Sequence, residues 1–215
     1  RVRGVFPRAG SMQFIDGEVA EAAAKRPALS IETDPLIMGV DIARFGDNAT
    51  VIAWRRGRDG RSIPMTKLHG VDTMTVAARV VSLYEEHHPD AVFVDEGGVG
   101  GGVVDRLRML RIPVIGVQFG ARADNNRDMG EGPNNYYNKR SEMYGLCRDW
   151  LKGGMLLSDR NLTEGLSSLN YTHRSVNGVD SILLEKKEDL KNRLPTVSCD
   201  EADAFVITFA YPVQK

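Results

Sequence analysis

Two short apolar runs in this chain each end on an aspartate. The first is Leu36-Ile37-Met38-Gly39-Val40-Asp41, the second Ala91-Val92-Phe93-Val94-Asp95. Short apolar runs bounded by turn residues read as buried strands. An acid at the C-terminal end of such a strand stands at the rim of the sheet, where open α/β sheets take their ligands. A single aspartate of this kind is explained by a turn or a helix cap. Two on separate strands, each followed by a glycine-containing loop, converge if the strands are neighbours.

The surrounding pattern supplies a frame. After Leu36–Asp41, the segments Ala49–Trp54 and Ser62–Leu68 read as strands, with Arg55–Gly60 as a hairpin loop. Three consecutive strands with short turns imply an antiparallel meander. Thr73–His87 then has helical apolar spacing at Val76, Val80, Leu83 and Tyr84, with Asp72 or Thr73 to cap it. The strand ending at Asp95, a helix from about Val103 to Leu110 and a strand at Val114–Val117 follow as a β-α-β run. Ala121–Asn135 has no period and reads as a loop. Tyr137–Leu151, Leu162–Leu169 and Cys199–Tyr211 read as helices, and Met155–Leu157 as an edge strand. Asn177-Gly178 between two strand-like runs is a strong hairpin signal. Glu185–Arg193 is highly charged. The expected fold is α/β: a mixed sheet of meander and parallel strands, helices on both faces, and a hairpin near the C-terminus.

Residues 1–34 carry no strand pattern, only a helix-prone stretch from Glu18 to Ala24. They read as a linker or arm, and residues 35–215 as the main domain. The first residue is Arg1 rather than Met, so an excised piece of a longer chain is expected.

Composition narrows the function. Of 215 residues 42% are hydrophobic, which suits a packed domain rather than a disordered one. A formal net charge of −1 gives no bulk electrostatic case for nucleic acid, although Arg55, Arg56, Arg58 and Arg61 are locally dense. Cys147 and Cys199 stand alone, which argues against a zinc site. No apolar run is long enough to span a membrane. None of His69, His87, His88 and His173 falls into a ligand pattern.

Converging carboxylates repel, and without a cation one of them is driven to its protonated form. A hard divalent ion removes the conflict and takes oxygen ligands. That chemistry wants a further acid, and Asp47, Glu96, Asp124, Asp128, Asp200, Glu201 and Asp203 are available. Asp203 lies between Ala202 and Ala204 in a helix with an apolar face, where a carboxylate needs a partner or a metal. Asp200, near the start of that helix, reads as an N-cap. Glu96 follows Asp95 and alternation turns it away. Asp47 sits in the turn Gly46-Asp47-Asn48 and also has reach to a metal. The run Gly97-Gly98-Val99-Gly100-Gly101-Gly102 lets backbone pass close to a ligand, but no P-loop signature is present.

Gly39-Val40-Asp41-Ile42-Ala43-Arg44-Phe45-Gly46-Asp47-Asn48-Ala49-Thr50 resembles the first acidic motif of the nuclease domain of phage large terminase subunits. Val92–Gly100 resembles the second, and Ser198-Cys199-Asp200-Glu201-Ala202-Asp203-Ala204-Phe205 the third, with Cys199 where that family has proline. Asn138-Lys139-Arg140-Ser141-Glu142-Met143 resembles the segment before the family's long helix. The resemblance implies an RNase H-like fold and metal-dependent cutting of concatemeric double-stranded DNA during packaging. One or two Mg²⁺ or Mn²⁺ ions are implied, held by Asp41, Asp95 and Asp203. Arg44, Lys139 and Arg140 are candidate DNA contacts. An ATPase motor in the same full-length chain, portal and small terminase subunits are implied partners, in the host cell cytoplasm. Residues 1–34 would be what remains of the link to the motor. Two other readings compete: a Holliday-junction resolvase or transposase core, and the ATP-binding half of an actin-like or sugar-kinase-like protein.

Overall fold

The computed structural model describes residues 12–27, 31–43, 49–124, 135–176 and 178–215. Helix α1 (Gly17–Lys25) comes first, capped by Asp16, whose side chain accepts from Glu18 N at 2.8 Å. It lies against the domain, and Phe14, Ile15, Ala20 and Ala23 around it are buried. Strands β1 (Leu36–Asp41), β2 (Thr50–Arg56), β3 (Asp59–Gly60) and β4 (Thr66–Leu68) form the meander. Helix α2 (Thr73–His87) is capped by Asp72 and leads to β5 (Ala91–Asp95). Helix α3 (Gly100–Met109) and β6 (Val114–Val117) complete the β-α-β run.

Helix α4 (Lys139–Leu151) is capped by Asn138, whose Oδ1 accepts from Ser141 N at 2.9 Å. Strand β7 (Met155–Leu156), helix α5 (Arg160–Ser167) and the hairpin β8 (Tyr171–Val176) and β9 (Val179–Leu184) follow. The chain continues through α6 (Lys187–Arg193) and α7 (Asp200–Val206), then a 3₁₀ turn at Ile207–Phe209. The sheet runs β6-β5-β1-β2-β3-β7, with β4 also on β2. β1 is antiparallel to β2 and parallel to β5, and β6 is parallel to β5.

Strand alternation decides what each face carries. Leu36, Met38 and Val40 pack with Val92 and Val94 against Val76, Val80, Leu83, Val103 and Leu107 of α2 and α3. Ile37 and Phe93 face the other way, into a core with Met143, Cys147, Ala204 and Phe205 of α4 and α7. Asp41 and Asp95 share the register of Ile37 and Phe93, so both carboxylates fall on the α7 face. The pairing of Val40 with Val94 makes them neighbours at the next rung. Gly39 lets α7 come this close: a Cβ there would stand 2.4 Å from Ala204 O.

The meander differs from expectation in detail. β2 runs through Arg56, because Arg55 is tied inward by Nε and Nη2 to Thr208 at 3.1 and 2.7 Å. The turn shrinks to Gly57-Arg58, with Gly57 at φ +53°. The third strand is Thr66–Leu68 rather than Ser62–Leu68. Asp59 Oδ1 accepts from the backbone of Arg61 and Ser62 and curls the chain there. Helix α3 starts at Gly100, before Val103. The charged stretch after Glu185 forms α6, a helix that its pattern does not announce.

Candidate active site

Asp41 and Asp203 are buried, and Asp95 is half-buried beside them. β1 and β5 deliver the first two acids and α7 the third. The Lys187 ammonium, from α6, stands among them. Its Nζ lies 2.7 Å from Asp203 Oδ2, 3.2 Å from Asp41 Oδ2 and 3.9 Å from Asp200 Oδ1. Asp203 Oδ1 accepts from Tyr144 Oη at 2.9 Å and Arg140 Nε at 3.2 Å. Asp95 Oδ1 accepts from Gly97 N at 2.9 Å.

These surroundings separate the three acids. Burial pushes the Asp41 carboxyl up to about 7; Lys187 opposes the shift, while Asp203, Asp95 and Asp200 add to it. Burial also raises Asp95, against the pull of the Gly97 N–H and Lys187. Asp203 is the most enclosed, yet Arg140 and Lys187 outweigh its burial and hold it below the ordinary carboxylate range. Asp203 is thus a fixed anion, and Asp41 an acid poised near neutrality.

Asp200 is not the helix cap expected from its position. The N-cap is Cys199, which makes no side-chain cap bond. Packing of α7 against β2 turns Asp200 inward, where Oδ2 accepts from Ala49 N at 3.1 Å and Oδ1 faces Lys187. It is a fourth carboxylate at the edge of the cluster. Glu96 lies over Gly116 on β6, away from the acids. Asp124 pairs with Lys139 at 2.6 Å. Asp47 and Asp128 lie outside the described residues.

The three expected DNA contacts fare differently. Arg44 lies outside the described residues. Lys139 and Arg140 are buried within ion pairs, Lys139 with Asp124 and Glu142, Arg140 with Asp203. The capped first turn of α4 packs under the hairpin and places both inside the domain, so their cations serve the protein's own acids. Lys187 and Tyr144 were not singled out by sequence. An unbalanced acid cluster calls for a cation nearby, but nothing in the spacing selects Lys187.

Among the described residues no three acid, His or Cys side chains close tightly enough on one point to hold a metal as they stand. The Lys187 ammonium fills the space between them and acts as a stand-in cation. The donors are carboxylate oxygens, the set that hard divalent ions take. Asp41, raised toward neutrality by burial first and by the neighbouring acids after it, is a carboxyl that a cation would return to its ionised form. The residues therefore fit a divalent ion in chemistry, and Asp41, Asp95 and Asp203 would hold it once the Lys187 ammonium had moved aside.

No protein-family model matches the chain, and no curated protein matches it. Solved structures do. The nuclease domain of the large terminase subunit gp2 of bacterial virus Sf6 superposes with a TM-score of 0.71 at 18% identity, covering 93% of this chain and 99% of that one. This is the fold of a phage large-terminase nuclease domain, RNase H-like. The same Sf6 domain, as a variant with manganese and beta-thujaplicinol, matches with a TM-score of 0.71 at 17% identity over the same shares. The large terminase nuclease from thermophilic phage G20c with bound magnesium matches with a TM-score of 0.56 at 13% identity, over 84% of this chain and 83% of that one. The terminase-like architecture expected from the motifs is thus present over nearly the whole chain, and metal-bound structures are among those it resembles.

Proposed function

We propose that this chain is a divalent-metal-dependent endonuclease domain that cuts concatemeric double-stranded DNA for phage genome packaging. The observation that carries the reading is the gathering of Asp41, Asp95 and Asp203 at one sheet rim around a cation, on the fold of terminase nucleases. Asp41, Asp95 and Asp203 would hold Mg²⁺ or Mn²⁺, with Asp200 at the edge of the set. A bound ion would activate water and stabilise the charge that develops on the phosphodiester. Arg140 and Tyr144 fix the orientation of Asp203 by hydrogen bonds to Oδ1. The Gly97 N–H does the same for Asp95. Asp41, able to hold a proton near neutral pH, would give it up to ligate a divalent ion. Lys187 balances charge among the acids, and it also lines the recess beside them.

On this reading the domain works beside an ATPase motor in a longer chain, with portal and small terminase subunits, in the host cytoplasm. Residues 1–34 would link to that motor and 35–215 would form the nuclease domain. The test is nicking and linearisation of plasmid by the 215-residue chain with Mg²⁺ or Mn²⁺, alongside linear duplex and a four-way junction. Duplex cutting that disappears in EDTA and in Asp41→Asn and Asp203→Asn is expected. Asparagine at Asp203 keeps an Oδ1 acceptor for Tyr144 and Arg140 but removes the charge that Arg140 and Lys187 pair with, so folding of this variant is checked by circular dichroism and Asp41→Asn carries the test if it is lost. Cleavage that persists in both variants would overturn the assignment, and a strict preference for the junction would favour a resolvase.

A further inference from the structure

The acid cluster opens onto a recess of about 420 Å³ lined by Lys187, Leu190, Lys191, Pro195, Ser198 and Asp200, among others. That volume falls in the range of small-ligand sites, roughly 300–1,000 Å³. Its two ends differ in chemistry. Lys187 and Asp200 belong to the cluster itself. Lys191 and Ser198 lie further out, with no part in holding the acids.

Lys187 and Lys191 are four residues apart on α6 and share a face. Lys187 is committed to Asp41 and Asp203. Among the described residues no hydrogen bond or ion pair engages Lys191, which is exposed on the recess wall. Ser198 Oγ accepts from Asp200 N at 3.3 Å, leaving its own proton free to donate. Glu188 also lines the recess. Next to Asp95 a second recess is lined by Ile42, Gly97, Gly98 and Val99, its two glycines leaving room for a ligand to approach the backbone.

Resting on the nuclease reading above, we infer that the cleaved DNA strand crosses the acid cluster from the Gly97–Val99 recess to the α6 recess, where Lys191 and Ser198 bind the phosphate next to the scissile one. Lys191 stands one helical turn beyond Lys187 on the same face of α6, so its ammonium lies further along the recess than the one committed to the acids. The contact positions the strand and reads no base.

The experiment uses the 215-residue chain. Binding of a labelled DNA duplex is titrated over a range of KCl in an Asp41→Asn background, and cleavage kinetics are measured in the otherwise native protein. Lys191→Gln is expected to weaken binding about tenfold. It should lower the slope of log K against log salt by about one. Lys191→Arg should restore both, and Lys152→Gln, outside the recess, should change neither. In cleavage, Lys191→Gln should raise KM about tenfold with little change in kcat, the pattern of lost uniform binding. Ser198→Ala should raise KM by a smaller factor. An unchanged slope and KM in Lys191→Gln would overturn the inference, as would an equal effect of Lys152→Gln. So would competition by inorganic phosphate at matched ionic strength, which would make the recess a free-phosphate site. If the native chain cuts no DNA, the nuclease reading falls, and the salt slope alone decides whether Lys191 meets a DNA phosphate.

Discussion

Replacing Gly39 by alanine tests whether the cluster depends on the approach of α7 to β1. The added Cβ would stand 2.4 Å from Ala204 O, 2.6 Å from Ile207 Cγ2 and 2.9 Å from Thr208 Cγ2. Relaxed non-bonded carbon contacts stand at about 3.5–4.0 Å, so something must yield by about 1 Å. β1 is held between β2 and β5 and has nowhere to go within the sheet. The helix must move, and Asp203 is the residue next to Ala204. Overpacking of this kind costs about 1–3 kcal/mol. Against a typical domain stability of about 5–15 kcal/mol, most of the protein stays folded. Misplacing a reacting group by about 1 Å lowers rate by about 100-fold. The expected outcome is a modest fall in the urea midpoint and a far larger fall in Mn²⁺-dependent nicking, both measured on one preparation. A stability change under about 0.5 kcal/mol with near-native cleavage would refute the reasoning, since surface-like tolerance would mean α7 is not clamped here.

Arg140→Met should destabilise the protein by about 3–5 kcal/mol in chemical denaturation, because Asp203 would be left buried without its guanidinium partner. Asp200→Asn should weaken Mn²⁺ binding in calorimetry while barely moving the melting temperature, since its amide oxygen can still accept from Ala49 N; unchanged metal binding would remove Asp200 from the metal set. The pH dependence follows from Asp41, whose pKa rises from 3.8 to about 7 on folding. A raised folded pKa stabilises fully below the unfolded value and is lost as pH rises through the folded one. Metal-free stability attributable to Asp41 should therefore decline between about pH 4 and pH 7, and Asp95, also raised, acts in the same direction. The depressed pKa of Asp203 acts below that window, where its contribution is lost as pH falls. Urea titrations in EDTA should show the decline, and Mg²⁺ should offset it most at the upper end; stability that rises steadily from pH 4 to pH 7 would contradict it.

Asp41 and Asp95 were legible because a strand leaves a plain mark. Apolar period, a terminal acid and a following turn fix both the position and the face of the side chain. Asp203 was legible for a different reason, as a charge among alanines with no packing role. The cations were not legible. Lys187 lies in a run of charges with no apolar period to announce a helix, and only the fold turns it onto the acids. Lys139 and Arg140 resembled phosphate contacts because a basic pair before a long helix looks the same whether it faces DNA or buried carboxylates. Asp200 looked like a cap because it opens α7, and the bond to Ala49 N depends on a strand more than a hundred residues away in sequence. Local chemistry thus announced the acids, while their balance rests on contacts of long range.

That balance explains how one cluster can be both folded and reactive. Asp41, Asp95, Asp200 and Asp203 surround Lys187 and, through Asp203, Arg140. With every carboxylate ionised the group is two charges short of neutral, the charge of a single divalent ion. Without that ion the protein makes up part of the deficit by favouring a proton on Asp41. The deficit is distributed unevenly. Arg140 and Tyr144 bind Asp203 from the protein side and keep it anionic, so it can anchor a metal at any working pH. Asp41 pairs with Lys187, a partner that is itself half-exposed and shared, and hydrogen-bonds the Asp95 carboxyl. Arrival of a divalent ion would thus change Asp41 first, releasing its proton and loosening its hold on Lys187. The ammonium freed in this way lies at the mouth of the recess where the next phosphate of the strand is proposed to sit.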